Sequence, residues 1–594
     1  MNGPSAQQAD VINERLSALS VIACAGSGKT LTAVRRVDSV RSQIEIERSH
    51  VALLSFSNVA VDVFGRSYIE EAAVKNRAAR SRVCIETFDG FITTNILRPH
   101  ACRTMKCTCM PYLVTGNEDY LSNKNFQFWP KRTPRFPQGI SKIEVEYKSG
   151  IVDVYARFHN STIPIENGIA TVQRLGQIGA YTHSLGRYWA FEVLRREPRI
   201  LAALARRYRQ IIVDEAQDIG SIHNAILDLL AGAGSQITLI GDPNQAIFEF
   251  CGADGEYLKT YVSRTGVKPK ELTINYRSVP RIVAAANSLS KRTDTSYRKV
   301  PAEENGAFFV PFAKVDENKL IQAFQSAVSA AGLNLGKSAI VCRALKKKQE
   351  LRSYGPEFGQ GRTKLFAAAV MARDSAADYQ EAFRLTVRAL VALLKSPPPH
   401  LCARILDISR YPEFREIRRV VWEFARNSGT GLPAGTLKAE SEWHPKLVQR
   451  LKALLGQIEE TFKYPPLDKL GSLLKKTKLP DVPMVYSQSK KFVIDPILRV
   501  ETIHGVKGES LDAVLYLADK DHVKAMLDGT GTELGRIGYV ALTRACNLFW
   551  LGLLANDAAT YRNALLQHSF VEKDYMQSDS APAPVKSNSS HTTT

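Results

Sequence analysis

The sequence lacks any apolar run long enough to cross a membrane. No stretch approaches the roughly 18 consecutive apolar residues that a spanning helix needs. The first ten residues hold neither the basic head nor the apolar core of a secretory signal. The nine cysteines are scattered and lack the surroundings of a small secreted domain, so we expect reduced thiols. These absences predict a cytoplasmic protein without a membrane partner.

Acidic residues are fewer than basic ones. The chain has 79 Lys and Arg against 59 Asp and Glu, a formal net charge of +20. This excess favours a polyanionic partner, although it also fits a solvated basic surface and does not separate DNA from RNA. Because the 594 residues are 44% apolar and 23% charged, we expect a globular chain of about three to five domains.

The motif with the clearest chemistry is SVIACAGSGKT at residues 20–30. An apolar strand runs into a glycine-rich turn, and a helix is predicted to open at Lys29. Backbone N–H groups of such a turn bind polyphosphate, while Lys29 reaches the terminal phosphates and Thr30 ligates magnesium. Ala23 stands where the usual pattern has its first glycine. The predicted nucleotide-binding residues of this loop are Ala25, Gly26, Ser27, Gly28, Lys29 and Thr30.

Two glutamines lie one short helix upstream of this loop. Because an amide both donates and accepts, Gln8 can read an adenine edge there, with Gln7 as the alternate. Taken alone, the two residues also fit a simple polar start of a helix.

A second apolar strand delivers two consecutive carboxylates, Asp214 and Glu215. In a magnesium nucleotide site, Asp214 would hold the ion through its hydration shell, and Glu215 would orient and deprotonate the attacking water. Paired acids at the end of a strand are also common helix N-caps. The phosphate loop upstream favours the catalytic interpretation.

Five further residues are candidates for the same site. Gln245 follows a predicted strand and can contact the γ-phosphate or its water. Tyr276 can stack on adenine, and Arg277 beside it is a candidate arginine finger. Nearer the end of the chain, Arg544 offers a further γ-phosphate contact, and Glu509 can hold a ribose hydroxyl.

Aromatic residues stand among small polar ones where several predicted strands end. Phe56 lies in SFSN, which ends at Asn58, and Phe88 lies in TFDGF. Open α/β sheets bind ligands at the carboxyl ends of their strands, where an exposed Phe offers a stacking platform for unpaired bases. Each ring taken singly fits a core position equally well. The predicted nucleic-acid contacts are Phe56, Asn58, Phe88, Phe248, Phe250 and His504.

The region from residue 95 to 197 departs from the α/β pattern. Residues 142–155 alternate around Ser149-Gly150 and predict a hairpin inside an inserted domain. His100, Cys102, Cys107 and Cys109 invite comparison with a zinc site, but their spacing matches no standard zinc pattern.

In their order, these motifs resemble those of superfamily-one helicases of the UvrD/Rep/PcrA type, from about residue 5 to 555. The resemblance implies an α/β fold of two RecA-like (P-loop NTPase) domains with parallel sheets, each carrying an inserted, mostly helical domain. It implies ATP and Mg²⁺ as cofactors, and movement along single-stranded or partly duplex DNA from 3′ to 5′. The implied roles are adenine recognition by Gln8 and six successive motifs at Lys29 and Thr30, Asp214 and Glu215, Gln245, Tyr276 and Arg277, Glu509, and Arg544.

The resemblance also implies domain boundaries. The first RecA-like domain takes residues 1–94 and 198–278 with an insertion at 95–197, the second takes 279–359 and 491–575 with a helical insertion at 360–490, and a disordered tail follows at 576–594.

The chain departs from the family in the third motif and just after the phosphate loop. Relatives usually carry Tyr, Trp and Arg where this sequence has Phe248, Phe250 and Cys251, which predicts weaker base stacking and altered coupling to ATP. Leu31 stands where many members have an arginine near the sugar.

Two strings resemble one branch of the family more closely. TFDGFITTNILRP and TIHGVKGESLDAV are similar to the UvrD-like helicase subunit of Gabija phage-defence systems, which is encoded beside an OLD-family nuclease with a Toprim domain. This resemblance implies an antiviral role and a nuclease partner in a hetero-oligomer. The alternatives are a free-standing repair or replication helicase, and a DNA-stimulated ATPase switch or loading subunit without productive unwinding.

Overall fold

The computed structural model describes most of the chain and all predicted site residues except Phe250. The described residues are 3–44, 48–74, 82–116, 118, 121, 125–130, 137–148, 150–158, 161–165, 168–249, 252–299, 305–344, 347–348, 351, 358–374, 377–398, 401–406, 411–485 and 498–575. Phe250, Cys251 and the predicted tail at 576–594 lie outside them.

Helices and strands alternate through much of this range. The helices are α1 Ala6–Asn13, α2 Lys29–Gln43, α3 Asn58–Val74, α4 Phe88–Ile92, α5 Arg98–Met105, α6 Gly168–Gln177, α7 His183–Arg196, α8 Pro198–Arg207, α9 Ser221–Gly232, α10 Glu256–Tyr261, α11 Pro280–Ser290, α12 Glu317–Ala330, α13 Arg362–Asp374, α14 Tyr379–Val391, α15 Leu401–Leu406, α16 Arg415–Arg426, α17 His444–Phe462, α18 Leu470–Leu473, α19 Lys520–Leu527, α20 Glu533–Arg544 and α21 Ala555–Gln567. The strands are β1 Leu19–Ala23, β2 His50–Ser55, β3 Val83–Thr87, β4 Tyr112–Leu113, β5 Gln127–Phe128, β6 Gln138–Gly139, β7 Ile143–Lys148, β8 Ile151–Phe158, β9 Ser161–Pro164, β10 Ala180–Tyr181, β11 Tyr208–Asp214, β12 Gln236–Gly241, β13 Lys268–Leu272, β14 Ile274–Asn275, β15 Thr295–Ser296, β16 Gly306–Phe312, β17 Ala339–Cys342, β18 Arg499–Thr502, β19 Leu511–Leu517, β20 Ala545–Leu554 and β21 Val571–Glu572.

The first large sheet is parallel throughout, in the order β13-β1-β12-β11-β2-β3. Its central strands are short, mostly buried runs such as LSVIA, as expected for a parallel sheet covered on both faces. Ile22 pairs with Gly241 and Asp214 pairs with Ile240, so β1, β12 and β11 end side by side. The turns that follow these strands therefore meet at one edge, where open α/β sheets bind ligands.

The second large sheet is also parallel, in the order β18-β17-β19-β20-β16-β21. Phe309, Phe549 and Leu551 are fully buried in its core. Helix α20 runs directly into β20, which places Arg544 at the amino-terminal end of that strand. Two parallel sheets in a mixed α/β chain confirm the fold class predicted from the sequence.

The segment between β3 and β11 mixes helices with antiparallel strands. Its strands β7, β8 and β9 form an antiparallel sheet, and α7 packs against β7. Lys148 pairs with Ile151 at the turn of β7 and β8, which confirms the predicted hairpin. The buried side chains of this segment are continuous with one face of the first sheet.

Residues 345–497 form a compact unit of their own. In its described part, α13 packs on α14, and α14 packs on α16. Trp443 is fully buried among these helices, and its indole N–H donates to the Pro433 carbonyl at 3.3 Å. Across the described residues of the whole chain, we find no helix with the length and apolarity of a membrane span.

Candidate active site

Two glycines shape the loop between β1 and α2. Gly28 is the N-cap of α2 at φ +78°, and Gly26 lies at φ +70°, in the left-handed region that favours glycine. A Cβ atom at Gly26 would come within 2.5 Å of the Arg277 Cβ atom. Conformation and space therefore both require glycine at position 26.

Lys29 and Thr30 open α2 next to this loop. Lys29 Nζ donates to the Cys24 carbonyl at 3.1 Å, and the Ser27 hydroxyl donates to the same carbonyl at 2.9 Å. The Thr30 side chain lies close enough to Asp214, at the end of β11, to act to lower the pKa of that carboxyl group. Ala25 is buried beside these groups. The loop is thus ordered by its own contacts, with an ammonium group and a hydroxyl close to an acidic residue.

The two glutamines of α1 are both engaged by the protein. Gln7 Nε2 donates to Thr273 Oγ1 at 2.8 Å, and Gln7 Oε1 accepts from Thr273 N at 2.9 Å. Gln8 Oε1 accepts from Ser5 N, and Gln8 Nε2 donates to the Ser27 carbonyl at 3.0 Å. Gln8 therefore fastens the phosphate loop to α1. Each of its amide atoms keeps one further hydrogen-bonding position, so adenine recognition stays a prediction.

Asp214 and Glu215 follow the buried strand β11. Glu215 has φ +53°, an uncommon conformation for a residue with a side chain and one that clusters at functional sites. Burial, and then the charge of Glu215, raise the pKa of Asp214 to about 7. Burial also acts to raise the pKa of Glu215, but the positive charges of Lys29 and Lys507 outweigh it and lower that pKa. Of the two carboxyl groups, Glu215 is therefore the one that is ionised more readily. A residue that accepts a proton from water needs to be ionised.

The donor set around Asp214 fits a magnesium ion. Its Oδ1 atom is buried and has no hydrogen-bond partner among the described residues. An unpaired buried carboxylate oxygen is unfavourable, and a cation relieves it. Carboxylate and hydroxyl oxygens such as those of Asp214 and Thr30 are the hard ligands that Mg²⁺ prefers.

Two arginines bring positive charge to the same edge. Arg544 Nη2 donates to Gln245 Oε1 at 2.7 Å, and Gln245 Nε2 donates to Asp242 Oδ2 at 2.8 Å. Arg277 Nη1 donates to the Thr543 carbonyl at 3.1 Å. Burial, and then the charge of Arg277, lower the pKa of Arg544 to about 9. Because like charges in a buried site repel, an anion between the two guanidinium groups would stabilise both.

Tyr276 stands beside the phosphate loop with a partner that the sequence analysis missed. The Tyr276 N–H donates to the Gly26 carbonyl at 2.9 Å, and its ring lies 5.1 Å from that of Tyr297. Tyr297 is 60% exposed and reaches this place because its N–H donates to the Asn275 carbonyl at 2.9 Å, next to β14 and β15. No local motif signals that pairing.

The Glu509 carboxylate is engaged by a neighbouring arginine. Glu509 Oε2 forms an ion pair with Arg499 at 2.6 Å. Its backbone carbonyl instead accepts from Arg544 Nη1 at 3.3 Å. Glu509 thus contacts the candidate site through its main chain, and the side-chain role stays a prediction.

Phe88 is a core residue, so the prediction that it stacks on bases is wrong for this structure. Its ring is 1% exposed and stacks on the His223 ring at 4.5 Å. Phe88 is the first residue of α4, which is capped by the Thr87 side chain. Phe56 lies over this pair, 5.6 Å from His223, and is only half-buried. Asn58 is exposed at the start of α3.

A buried ion pair crosses from the first sheet to the second beside Phe248. Lys507 Nζ binds the two Asp218 carboxylate oxygens at 2.6 and 2.7 Å and lies 4.5 Å from the Phe248 ring. His504 Nε2 lies 3.0 Å from the Ile247 carbonyl, and its ring lies 5.7 Å from that of Phe248. Lys507 and Asp218 are 289 positions apart, and no local sequence pattern joins the two.

The side chains of His100, Cys102, Cys107 and Cys109 do not form a metal centre. Within the described ranges, no group of three or more His, Cys, Asp or Glu side chains could hold a metal ion. Cys107 Sγ donates to the Cys109 carbonyl at 3.3 Å, and Cys109 Sγ donates to the Ile178 carbonyl at 3.5 Å. The described cysteines are free thiols, as predicted.

Two segments of the chain, which include most strands of the first sheet, match the model of a helicase family. Residues 5–145 and 178–264 match the UvrD/REP helicase N-terminal domain. These ranges contain β1 to β6, the first half of β7, and β10 to β12, and with them the phosphate loop, Asp214, Glu215 and Gln245.

Curated relatives carry helicase names. DNA helicase II of Escherichia coli K12 is 26% identical over 310 residues, which cover 48% of this chain and 39% of that protein. The probable DNA helicase II homolog of Mycoplasma capricolum is 24% identical over 290 residues, 46% of this chain and 38% of that protein. One subunit of the ATP-dependent helicase/nuclease of Carboxydothermus hydrogenoformans is 32% identical over 133 residues, 21% of this chain and 11% of that protein. The chain thus matches less than two fifths of each relative's length, and the matches support the resemblance to UvrD-like superfamily-one helicases.

Proposed function

We propose that this UvrD-like chain is an ATP-dependent DNA helicase, which hydrolyses ATP to move along single-stranded or partly duplex DNA. The observation that carries the proposal is the meeting of Lys29, Asp214 and Glu215 from the first sheet with Arg544 from the second. An NTP polyphosphate is the ligand that suits a phosphate loop, an acidic pair and buried guanidinium groups together. The names of the relatives support DNA as the track.

In the proposed reaction, the phosphates lie on the backbone of the loop at Gly26 and Gly28. Lys29 turns from the Cys24 carbonyl, which it contacts at 3.1 Å, toward the terminal phosphates. Glu215 orients the attacking water and accepts its proton. Arg544 and its neighbour Arg277 stabilise the charge that develops on the transferred phosphoryl group.

The proposed movement along DNA follows from the positions of the charged groups around ATP. ATP lies between groups of the first sheet and Arg544 of the second, so its binding draws the two together and hydrolysis releases them. Phe56 belongs to the first sheet, and His504 belongs to the second and lies 5.7 Å from Phe248. Alternate tightening of contacts on the two sides would shift a stacked strand by about one base in each cycle, 3′ to 5′.

Mg²⁺ is the proposed cofactor beside ATP, held by Thr30 and Asp214. When bound there, such an ion would neutralise part of the negative charge of the phosphates. The buried, unpaired Asp214 Oδ1 atom is the observation that supports it.

The raised pKa of Asp214 predicts that binding of the Mg²⁺ nucleotide releases a proton. The free carboxyl group is protonated below a pKa of about 7, whereas ligation needs the carboxylate. Affinity should therefore rise as the pH increases to about 7 and then level off. Because the folded pKa lies above the unfolded value of 3.8, the free protein should also lose stability as the pH rises between these values.

Calorimetry at about pH 6 in two buffers of different ionisation enthalpy measures this proton release. Asp214→Asn is the matched control, since it keeps the shape and removes the titration. Binding without proton release in the wild-type protein, or identical release in Asp214→Asn, would contradict the assignment.

Replacing Glu215 with Gln is expected to slow ATP hydrolysis by about 10² to 10⁴-fold while ATP still binds, because the variant keeps the shape and loses the proton acceptor. Lys29→Ala removes a charge from the phosphates and should weaken binding as well. Phosphate release with and without single-stranded DNA measures both effects. Glu271→Gln changes an exposed carboxylate of the edge strand β13 and serves as the control. Near-normal turnover in Glu215→Gln would refute the assignment of the active site. A wild-type hydrolysis rate that does not change when DNA is added would refute the proposed movement along DNA.

At a finer level, we propose that the chain is the motor of an anti-phage complex with an OLD/Toprim-type nuclease. The support is the similarity of TFDGFITTNILRP and TIHGVKGESLDAV to the Gabija helicase subunit, together with a relative whose name pairs helicase and nuclease. Co-expression with the neighbouring gene product followed by size-exclusion chromatography tests it. Separate elution at micromolar concentrations, with and without ATP and DNA, would favour a free-standing repair helicase.

A further inference from the structure

A pocket of about 430 Å³ lies beside the amino-terminal end of β11. It opens between α8 and the helical run formed by α4, the π-helical turn Thr93–Leu97 and α5. Tyr208 begins β11 directly after α8, and Asp214 ends it. At about 3.3 Å per residue, the strand puts roughly 20 Å between the start of β11 and the acidic pair, so the pocket is separate from the nucleotide site.

Three basic side chains line this pocket. His100 comes from α5, and Arg199 and Arg207 come from the first and last turns of α8. Both arginines are exposed, and no carboxylate of the described ranges forms an ion pair with either. Ile200 and Leu204 line the pocket from the same helix and supply apolar surface between the charges.

The wall opposite α8 is held in a fixed conformation. Asn95, within the π-helical turn, donates from Nδ2 to the Phe91 carbonyl at 3.1 Å and accepts from the Tyr208 hydroxyl at 2.7 Å. Turns of this type are rare and frequently occur at functional sites. A helix widened here, and pinned to the start of β11, gives the pocket a preformed shape.

The pKa values of two histidines in this region are lowered, in part by neighbouring arginines. Burial, and then Arg103, lower the pKa of His100, while Glu197 acts in the opposite direction. Burial, and then Arg207, lower the pKa of His50 at the start of β2. Arg103 and Arg207 thus both act on the histidines as positive charges near the pocket, and Glu197 offsets part of this at His100.

We propose that this pocket binds a phosphate ester, and that in the working protein it holds a phosphodiester segment of nucleic acid away from the ATP site. Guanidinium and imidazole groups donate to phosphate oxygens, and the apolar surface packs against a sugar or base. The volume lies in the range of about 300 to 1,000 Å³ that small-ligand sites have, which is enough for a nucleotide unit. The choice of nucleic acid rests on the proposed function, whereas the phosphate chemistry does not.

Arg199→Ala and Arg207→Ala test the proposal, with Arg206→Ala as the matched control. Arg206 is an exposed neighbour on the same helix that does not line the pocket. Each pocket variant should weaken binding of a tailed duplex several-fold at low salt. It should also reduce the slope of log affinity against log salt by about 0.7 to 0.9. Binding of a short single strand and basal ATP hydrolysis should match the wild-type protein.

A second arm identifies the source of the phosphate. Equilibrium dialysis with AMP, in a Lys29→Ala background that disables the phosphate loop, shows whether a free nucleotide enters the pocket. If Arg207→Ala weakens DNA binding but leaves AMP binding unchanged, the result supports a phosphodiester of nucleic acid as the ligand. If Arg207→Ala loses AMP binding, the result supports a phosphate-ester site for free nucleotide. If Arg207→Ala and Arg206→Ala behave alike in both measurements, the proposal that the pocket binds phosphate is overturned. A wild-type protein that binds AMP here but no DNA would overturn the proposed function and leave the pocket standing.

Discussion

The Arg544→Ala variant is expected to hydrolyse ATP about 10³ to 10⁵ times more slowly than the wild-type protein. Arg544 is 2% exposed and is the last residue of α20, directly before β20 of the second sheet, yet its guanidinium contacts Gln245, which follows β12 of the first. An arginine that enters a phosphoryl-transfer site from a second body stabilises charge that appears only in the transition state. Its loss should therefore lower kcat more than it raises KM.

Loss of folding is not expected to explain this effect. Burial and Arg277 lower the pKa of Arg544 to about 9, which means that its charge is unfavourable until an anion arrives. The Arg562→Ala variant is the control, because it removes an exposed arginine that pairs with Glu572 at 2.6 Å. Single-turnover hydrolysis and thermal unfolding should be measured on the same samples. A rate within a few-fold of wild type in folded Arg544→Ala would show that the second sheet takes no part in the chemistry.

Local patterns were enough to predict the half of this site that lies on the first sheet. The phosphate loop and the acidic pair each follow an apolar strand directly, and the parallel sheet brings the ends of β1 and β11 to one edge. Arg544 and Gln245 are 299 positions apart, so only the family resemblance linked them in advance. Their contact depends on how the two sheets pack, and no periodicity in the sequence predicts that packing.

Aromatic residues were harder to place than charged ones. Phe56 and Phe88 stand in similar strings, yet the first is half-buried and the second is stacked on His223 in the core. His223 comes from α9, far along the chain, so the sequence gives no sign that Phe88 has an internal partner. The Tyr276–Tyr297 contact and the Lys507–Asp218 ion pair could not be predicted for the same reason, because each forms through tertiary contacts alone.

The Lys507→Ala variant is expected to lose about 3 to 5 kcal/mol of unfolding free energy, because it leaves the Asp218 carboxylate buried without its partner. The two side chains are 8% and 7% exposed and meet at 2.6 Å. Urea unfolding measures the loss. Lys268→Ala, which removes a half-exposed ammonium group 3.0 Å from Glu14, should cost less than about 1 kcal/mol and is the control.

Stability does not explain why the pair is there. Burial raises the pKa of Asp218 to about 6 even with the charge of Lys507 beside it, so the attraction does not offset the desolvation. Since the folded pKa lies above the unfolded value of 3.8, this carboxyl group takes up protons on folding. Its contribution to stability is lost as the pH rises from about 4 to about 6.

A functional coupling accounts for the pair better. Asp218 follows Glu215 by three residues, and the charge of Lys507 also lowers the pKa of Glu215. The same ammonium group lies 4.5 Å from the Phe248 ring, a predicted base contact. One side chain thus lies between the proposed proton acceptor, Glu215, and a predicted DNA contact, Phe248, so a strand that moves Phe248 would change the electrostatics at Glu215.

Replacing both charges separates the two explanations. A Lys507→Met, Asp218→Leu double variant removes the buried charges together and should be as stable as the wild-type protein, or up to about 4 kcal/mol more stable. If the pair couples the two sites, this stable variant should hydrolyse ATP at its basal rate and lose stimulation by single-stranded DNA. DNA-stimulated phosphate release, measured beside urea unfolding, decides the question. Full stimulation in the double variant would show that the pair only positions the two sheets, because the coupling would then survive without either charge.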